Sequence, residues 1–255
     1  MARTADEIMN HHMEAMGVKD GVKGSSQGQD IPNIMSDYSD DLIAIVNMGG
    51  QTLVIHGREE LEAMVSQITA AEPDPEFDNN FEVIYRQSAG DHVVIAFKAG
   101  KSVPLAVFSY TVKDGKATHV SGFQWHPDVP IVPSCRVLTE QEKEALAVVQ
   151  HHIDATLTRD VEYILQDFAD DVVIINSMAP EPCIGKAALT EVCKVMYQGD
   201  PNPENPNAHT VDFRIKEAAG NMVLLEFEAD MGIGTETYII ENGKVVFTSA
   251  VFQPK

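Results

Sequence analysis

The chain has 255 residues, of which 44% are hydrophobic and 22% charged, a composition that supports a packed core and argues against disorder. Its 39 acidic residues outnumber its 18 basic ones and give a formal charge of −21, which excludes binding to nucleic acid phosphates or to anionic membrane surfaces. No apolar run reaches the ~18 residues of a membrane span and no signal segment opens the sequence, so we expect a cytoplasmic globular protein.

The first half of the sequence predicts helices followed by strands. A first helix carries the pair His11-His12, and a Gly/Ser-rich insertion follows at about 19–30. After a short second helix, the apolar run Leu42–Met48 predicts a strand, and a loop leads to a third helix that opens just after Gly57. Four further strands are then predicted, the last two joined by a hairpin turn at Asp114-Gly115: Glu82–Gln87, His92–Lys98, Ala106–Val112 and Lys116–Trp125.

A proline-rich stretch separates this half from a second one with the same order of elements. Three prolines between His126 and Pro133 predict a stiff, extended linker over residues 127–138. Thr139 and Glu142 have the spacing of a capping box, which predicts the start of a long helix. The four later strands are predicted at Val211–Lys216, Met222–Glu228, Thr235–Glu241 and Lys244–Gln253.

The two halves are an internal repeat, which organises the whole chain. His11-His12 recurs as His151-His152, and the offset between matching residues stays within 128 to 130 from Asp37 to Lys116. Matching segments include 37–43 with 167–173, 57–61 with 185–189, and 114–116 with 242–244. We therefore predict a first domain over residues 1–126, the linker at 127–138, and a second domain over residues 139–255.

The element order and one motif resemble the nuclear transport factor 2-like superfamily, which includes SnoaL-like polyketide cyclases and ketosteroid isomerases. The motif runs from Ile164 through Asp167-Phe168-Ala169-Asp170-Asp171 to an apolar strand, and then to Gly185-Lys186-Ala187-Ala188. The resemblance covers nearly the whole chain, once per copy. It implies an α+β fold of two cystatin-like cones, each with helices packed on a curved antiparallel sheet and a pocket between them.

The resemblance also identifies candidate catalytic positions. In ketosteroid isomerases an Asp base works beside a Tyr and a protonated Asp. The Tyr position aligns with His152, the base position with Asn176 and the protonated-acid position with Glu236. Because an amide cannot abstract a carbon-bound proton near neutral pH, the isomerase mechanism as such does not carry over. We expect His152 to act as acid–base or hydrogen-bond donor, Glu236 as its partner, and Asn176 as a polarising group.

The first copy has a mostly apolar set at the same positions. His12, Val46 and Phe108 align there, and with Tyr110 they predict the lining of a ligand site, as Tyr238 does in the second copy. Since neighbouring helical residues point about 100° apart, only one histidine of each pair can face a pocket. The alternative is that one ring packs at the edge of the core while the other is solvated.

Two classes of function remain open on the sequence. One is the handling of a small apolar, carbonyl-bearing or polycyclic molecule, with or without isomerase, cyclase, dehydratase or lyase turnover. The other is an assembly or adaptor module. We expect no cofactor and no metal, since Cys135, Cys183 and Cys193 lack the spacing of a zinc site. The resemblance further implies that the two copies form an intramolecular pseudo-dimer, with or without additional homo-oligomerisation.

Overall fold

The chain divides into two units, Met1–Ser134 and Cys135–Lys255, which share one architecture. The computed structural model describes residues 2–19, 22–23, 30–70, 80–101, 103–126, 129–197, 211–229 and 232–254. Most of the Gly/Ser-rich insertion predicted at about 19–30 lies outside these residues. None of the described helices is long and apolar enough to cross a membrane.

The first unit has three helices packed on one six-stranded sheet. The helices are α1 (Ala5–Ala15), α2 (Ile31–Met35) and α3 (Arg58–Ala70). A two-stranded ribbon, β1 (Val18–Lys19) and β2 (Val22–Lys23), follows α1. The sheet strands are β3 (Tyr38–Met48), β4 (Gln51–His56), β5 (Phe81–Ala89), β6 (His92–Ala99), β7 (Val103–Lys113) and β8 (Lys116–Trp125). Their order in the sheet is β4-β3-β8-β7-β6-β5.

The second unit repeats this plan. Its helices are α4 (Glu140–Thr158), α5 (Val161–Leu165) and α6 (Lys186–Tyr197). Its strands are β9 (Phe168–Asn176), β10 (Cys183–Ile184), β11 (Asp212–Ala219), β12 (Met222–Ala229), β13 (Gly232–Glu241) and β14 (Lys244–Pro254). The sheet order β10-β9-β14-β13-β12-β11 is the same as in the first unit. The duplication and the α+β class predicted from the sequence are therefore confirmed.

Two details of the sheets differ from the prediction. Each sheet is antiparallel except for one parallel pair, β3 with β8 and β9 with β14. Each also has a sixth strand where the sequence predicted a loop. In the first unit this strand is β4, which turns back on β3 through Gly49 and Gly50, both with positive φ. Glycine adopts that conformation without the steric penalty that other residues meet, so the chain reverses within two residues.

Part of the predicted linker is tied to the first unit. Val132 donates its N–H to the Gly50 carbonyl at 2.7 Å, and its own carbonyl accepts from the Thr52 N–H at 3.1 Å. A β-carbon at Gly50 would lie 2.5 Å from the Pro130 carbonyl oxygen, so the close approach of this segment requires glycine. Further along, Arg136 pairs with Glu142 at 2.9 Å in the second unit.

Both long N-terminal helices begin at a capping box. Thr139 accepts from the Glu142 N–H while the Glu142 carboxylate accepts from the Thr139 N–H, as the sequence predicted. Thr4 and Glu7 form the same box at the start of α1. The box satisfies amides that the first turn of a helix leaves free, and so fixes where each helix starts over its sheet. That start sets which face of α1 and α4 turns toward the sheet.

Candidate ligand cavity and paired histidine sites

A cavity of about 200 Å³ lies in the first unit, between its helices and its sheet. Five methionines line it: Met9, Met13, Met16, Met48 and Met64. Aliphatic side chains add Ile34, Val46, Leu61, Val65, Ile68, Ile95 and Val120, and aromatic rings add Phe81, Phe97 and Phe108. Such a lining favours apolar ligands, and thioether side chains adapt to irregular shapes.

The described lining residues include no Asp, Glu, Lys or Arg. Five polar side chains complete the lining: His12, Tyr38, Thr69, Tyr110 and Gln124. Burial raises the pKa of both Tyr38 and Tyr110. The pKa of Tyr38 lies well above its ordinary value. Both hydroxyls therefore stay protonated and can donate hydrogen bonds at neutral pH. The cavity thus combines an apolar body with a polar end, where the rings of His12, Tyr38 and Tyr110 meet.

The four ligand residues predicted in the first copy all lie on this lining. His12 is buried on α1 and its ring meets those of Tyr38 and Tyr110, with centroids 5.5 and 5.8 Å apart. Val46 lies on β3. Phe108 packs face to face with Phe97, with centroids 5.9 Å apart and 5° between the planes. The sequence therefore identified residues that meet at one cavity, and their role toward a ligand is a proposal.

A buried carboxylate, that of Asp37, lies next to both histidines of the pair in the first unit. Asp37 is 1% exposed; Arg3 and His11 approach its Oδ1 at 2.9 and 2.8 Å, and Nδ1 of His11 also lies 2.9 Å from Oδ2. Nδ1 of His12 lies 3.8 Å from Oδ2. Burial raises the pKa of Asp37, but contacts with His12 and then His11 outweigh burial and leave that pKa below its ordinary value. The carboxylate is therefore ionised and faces both histidines.

The second unit repeats the arrangement around Asp167. Nδ1 of His151 lies 2.7 Å from one oxygen of Asp167, and Nδ1 of His152 lies 3.8 Å from the other. His151 is 40% exposed, whereas His152 is mostly buried. Burial lowers the pKa of His152 despite the Asp167 charge, so this ring is neutral at pH 7. In both units one ring is partly exposed and the other lies deeper, so the two rings of each pair point in different directions.

Glu236 and Tyr238 form a second polar group in the second unit. The Tyr238 hydroxyl donates to Oε2 of Glu236 at 2.5 Å, and its ring centroid lies 5.9 Å from that of His152. Burial raises the pKa of Glu236, and the Tyr238 hydrogen bond only partly offsets it. Tyr238 thus touches both His152 and Glu236, the two residues predicted to form an acid–base couple.

Asn176, the predicted polarising group, has part of its amide engaged in a turn. Its Oδ1 accepts from the Met178 N–H at 2.9 Å, so only its Nδ2 amino group is left to donate. It ends β9 opposite Ala250.

The sequence interpretation missed Asp37 and Asp167 as partners of the histidine pairs. The signal was present, because the aspartate recurs in both copies within the repeated segments that follow each pair. It also missed Tyr38 and Gln124, which the second copy replaces. Among the described residues there is no group of three or more His, Cys, Asp or Glu side chains that could hold a metal ion.

No family model matches the sequence, and no curated protein matches it. Solved structures do match, each over about half of the chain. An NTF2-like protein of unknown function from Burkholderia xenovorans is 16% identical, with 46% of this chain and 88% of that chain covered and a TM-score of 0.37. A protein assigned as a ketosteroid isomerase from Kribbella flavida is 16% identical, covering 45% and 82%, with a TM-score of 0.35.

An LEH-like epoxide hydrolase from M. tuberculosis is also 16% identical, covering 44% of this chain and 84% of that one, with a TM-score of 0.35. In the chain itself, each unit has helices on one curved six-stranded sheet with the same strand order. The two units therefore repeat one arrangement of helices and sheet in tandem, as the sequence predicted.

Proposed function

We propose that the chain is a binding protein for a compact, neutral, apolar molecule, which it holds in the cavity of the first unit. The observation that carries this proposal is the lining of that cavity, which is mostly apolar, has no Asp, Glu, Lys or Arg among its described residues, and brings the rings of His12, Tyr38 and Tyr110 together. A ligand with a charged group would lose its hydration there without gaining a partner.

The volume of the cavity limits the size of the ligand. An engineered apolar cavity of about 150 Å³ in another protein binds benzene, so about 200 Å³ suits one substituted ring or a short branched chain. A polycyclic ligand, which the sequence interpretation included, is too large without movement of the lining. The five methionines allow some adaptation, since their unbranched side chains repack readily.

The test is calorimetric titration of the full chain with toluene and p-cresol, together with two matched variants. Ile95 lines the cavity and pairs with Phe108 on β7, and Leu225 holds the equivalent position in the second unit, where it pairs with Glu236. Ile95→Phe fills space in the first cavity, and Leu225→Phe makes a comparable change in the second unit. Each should cost about 1–3 kcal/mol of stability by overpacking, so unfolding curves check that both fold.

We expect binding to be lost in Ile95→Phe and kept in Leu225→Phe. The reverse pattern would move the ligand to the second unit and overturn the proposal. Equal binding in both variants would place the ligand outside the two cones, and absence of binding in the unmodified chain would favour the assembly or adaptor class.

A second candidate function is acid–base chemistry on a carbonyl compound in the second unit. The pair Glu236–Tyr238 supports it, since a carboxyl group whose pKa burial has raised can donate a hydrogen bond to a carbonyl oxygen. His152 is neutral there and can accept a proton from the adjacent carbon. Isomerases and dehydratases of this type need both steps.

Exchange of the α-protons of cyclohexanone in D2O, followed by NMR, tests this activity. We expect exchange above the buffer rate, with at least tenfold loss in both Glu236→Gln and His152→Gln and no change in Ile95→Phe. Exchange at the buffer rate in the unmodified chain would leave binding alone as the function.

A further inference from the structure

The more buried histidine of each pair lies beside a buried carboxylate. His12 lines the cavity on one side and directs Nδ1 toward Asp37 on the other, at 3.8 Å. In the second unit His152 directs Nδ1 toward Asp167 at the same distance. A neutral imidazole carries its proton on one nitrogen only, and a carboxylate facing that nitrogen favours the protonated form of it.

We propose that Asp37 and Asp167 are positioning residues that hold the proton of His12 and His152 on Nδ1. Nε2, the nitrogen on the far side of the ring, is then a hydrogen-bond acceptor. It follows that the polar end of the first cavity recognises a hydroxyl group, which can donate to Nε2 of His12 and accept from a protonated tyrosine. This part rests on the proposed binding function, whereas the position of the proton does not.

In the second unit Nδ1 of His152 and Oδ2 of Asp167 face each other without another partner among the described residues. Both atoms are buried. A small rotation of either side chain closes their 3.8 Å separation into a hydrogen bond. Leaving both atoms buried and unpaired is costly, so a proton on Nδ1 is favoured.

In the first unit the Tyr38 hydroxyl lies near both nitrogens of His12, 3.4 Å from Nε2 and 3.5 Å from Nδ1, and burial keeps this hydroxyl protonated. It can donate to whichever nitrogen is unprotonated, and with the proton held on Nδ1 by Asp37 that nitrogen is Nε2, at 3.4 Å. The distance exceeds that of a strong hydrogen bond, which leaves Nε2 able to accept from a ligand as well. Phe168 takes the place of Tyr38 in the second unit.

Asp37→Asn tests whether the carboxylate sets the tautomer of His12. The groups that face this position are Arg3, His11, His12 and the buried Tyr38. In Asp37→Asn the single acceptor oxygen is drawn to Arg3 and His11, and the amino group then faces Nδ1 of His12. The ring should respond by moving its proton to Nε2. Asp167→Asn makes the equivalent change at His152.

Long-range 1H–15N NMR of the ligand-free chain at pH 8 reads the tautomer of each histidine directly. Variants His12→Gln and His152→Gln assign the two signals. We expect a protonated Nδ1 at His12 and His152 in the unmodified chain and a protonated Nε2 in Asp37→Asn and Asp167→Asn. Asp41→Asn and Asp171→Asn are the controls, because those acids are exposed on β3 and β9 and should leave both signals unchanged.

A protonated Nε2 in the unmodified chain, or tautomers unchanged in both amide variants, would overturn the assignment. If Asp37→Asn fails to fold, the second unit still decides the question through Asp167→Asn. The ligand arm compares p-cresol with 4-methylanisole, which keeps the ring and loses the hydroxyl proton. We expect at least a tenfold preference for p-cresol, lost in Asp37→Asn. Equal affinities with the expected tautomers would overturn only the hydroxyl recognition.

Discussion

Phe108 and Glu236 occupy the same position in the two sheets. Phe108 pairs with Gly122 across β7 and β8, and Glu236 pairs with Ala250 across β13 and β14. One position therefore carries an aromatic ring in the cone that has the apolar cavity and a partly buried carboxyl group in the other. The two units share a scaffold and differ in the chemistry that this position presents.

The ring of Phe108 requires glycine at its partner position. A β-carbon at Gly122 would lie 2.4 Å from Cε1 of Phe108, so Gly122→Ala must displace the ring from its stack on Phe97. We expect a loss of about 1–3 kcal/mol in the free energy of unfolding, measured with urea, and weaker binding of toluene.

The double variant Phe108→Ala with Gly122→Ala is the control for this clash, since it removes the ring that the new methyl group would meet. Adding Gly122→Ala to Phe108→Ala should then cost little. Ala250→Gly, at the equivalent position of the second unit, should cost no more than about 1 kcal/mol. A Gly122→Ala chain with full stability and unchanged binding would contradict the account.

The repeat and the strand patterns were enough to predict most of the fold. The run Leu42–Met48 and the Asp114-Gly115 turn are local signals, and the structure has a strand and a hairpin there. The strand β4 was missed although Thr52, Val54 and Ile55 are β-branched residues that favour strands, because the whole segment before the third helix was assigned to a loop. Its pairing depends on Gly50 and on Val132, which is far away in sequence.

The candidate sites were predictable only in part. The family resemblance, carried to the first copy through the repeat, identified His12, Val46 and Phe108. It could not show that Tyr238 would contact both Glu236 and His152, since contacts between side chains on different elements depend on packing. Nor could it show which cone holds the cavity of about 200 Å³, which depends on how side-chain volumes fill each cone.

Glu142 should be far more important to stability than Glu7, although both close a capping box. Glu142 is 1% exposed; burial raises its pKa, but hydrogen bonds from the Thr139 N–H, Arg136 and the Gly220 N–H outweigh burial and bring that pKa to about 2. Glu142→Ala leaves Arg136 without this partner, and we expect a cost of about 3 kcal/mol.

Glu7→Ala is the matched control, since Glu7 caps α1 at an exposed position, and its cost should be about 0.5–1 kcal/mol. Because the folded pKa of Glu142 lies below the unfolded one, its contribution is present above pH 4.5 and is lost as the pH falls toward 2. Urea midpoints at pH 7 and pH 3 measure both effects. Equal costs at pH 7 for the two variants would refute the prediction.

Glu226 should make the protein less stable as the pH rises. It is fully buried, neither oxygen has a hydrogen-bond partner in the described chain, and burial raises its pKa from 4.5 to about 7, although Arg214 opposes this. Between those values the folded state keeps a proton that the unfolded state has lost. Stability therefore falls across this window, by about 3 kcal/mol for a rise of this size.

Glu226→Gln cannot ionise and should remove that part of the pH dependence. We expect the variant to match the unmodified chain near pH 4.5 and to exceed its stability at pH 8, both from urea unfolding. Glu241→Gln is the control, because Glu241 is exposed at the end of β13. An unchanged slope between pH 4.5 and 7 in Glu226→Gln would show that another group carries it.

Tyr238 should set the pH range over which Glu236 can donate a proton. Its hydroxyl donates to the Glu236 carboxylate at 2.5 Å and so lowers a pKa that burial raises. A hydrogen bond to a charged group contributes about 1.5–3 kcal/mol, so Tyr238→Phe should raise the pKa of Glu236 further.

Carboxyl 13C NMR titration, with Glu236→Gln to assign the signal, measures this change. Tyr110→Phe is the matched control, because Tyr110 has the same position in the first unit but neighbours Phe108 on that strand face. It should leave the Glu236 titration unaltered. A Glu236 pKa that stays constant or falls in Tyr238→Phe would mean that the tyrosine does not stabilise the carboxylate. The two residues would then act separately on any carbonyl ligand.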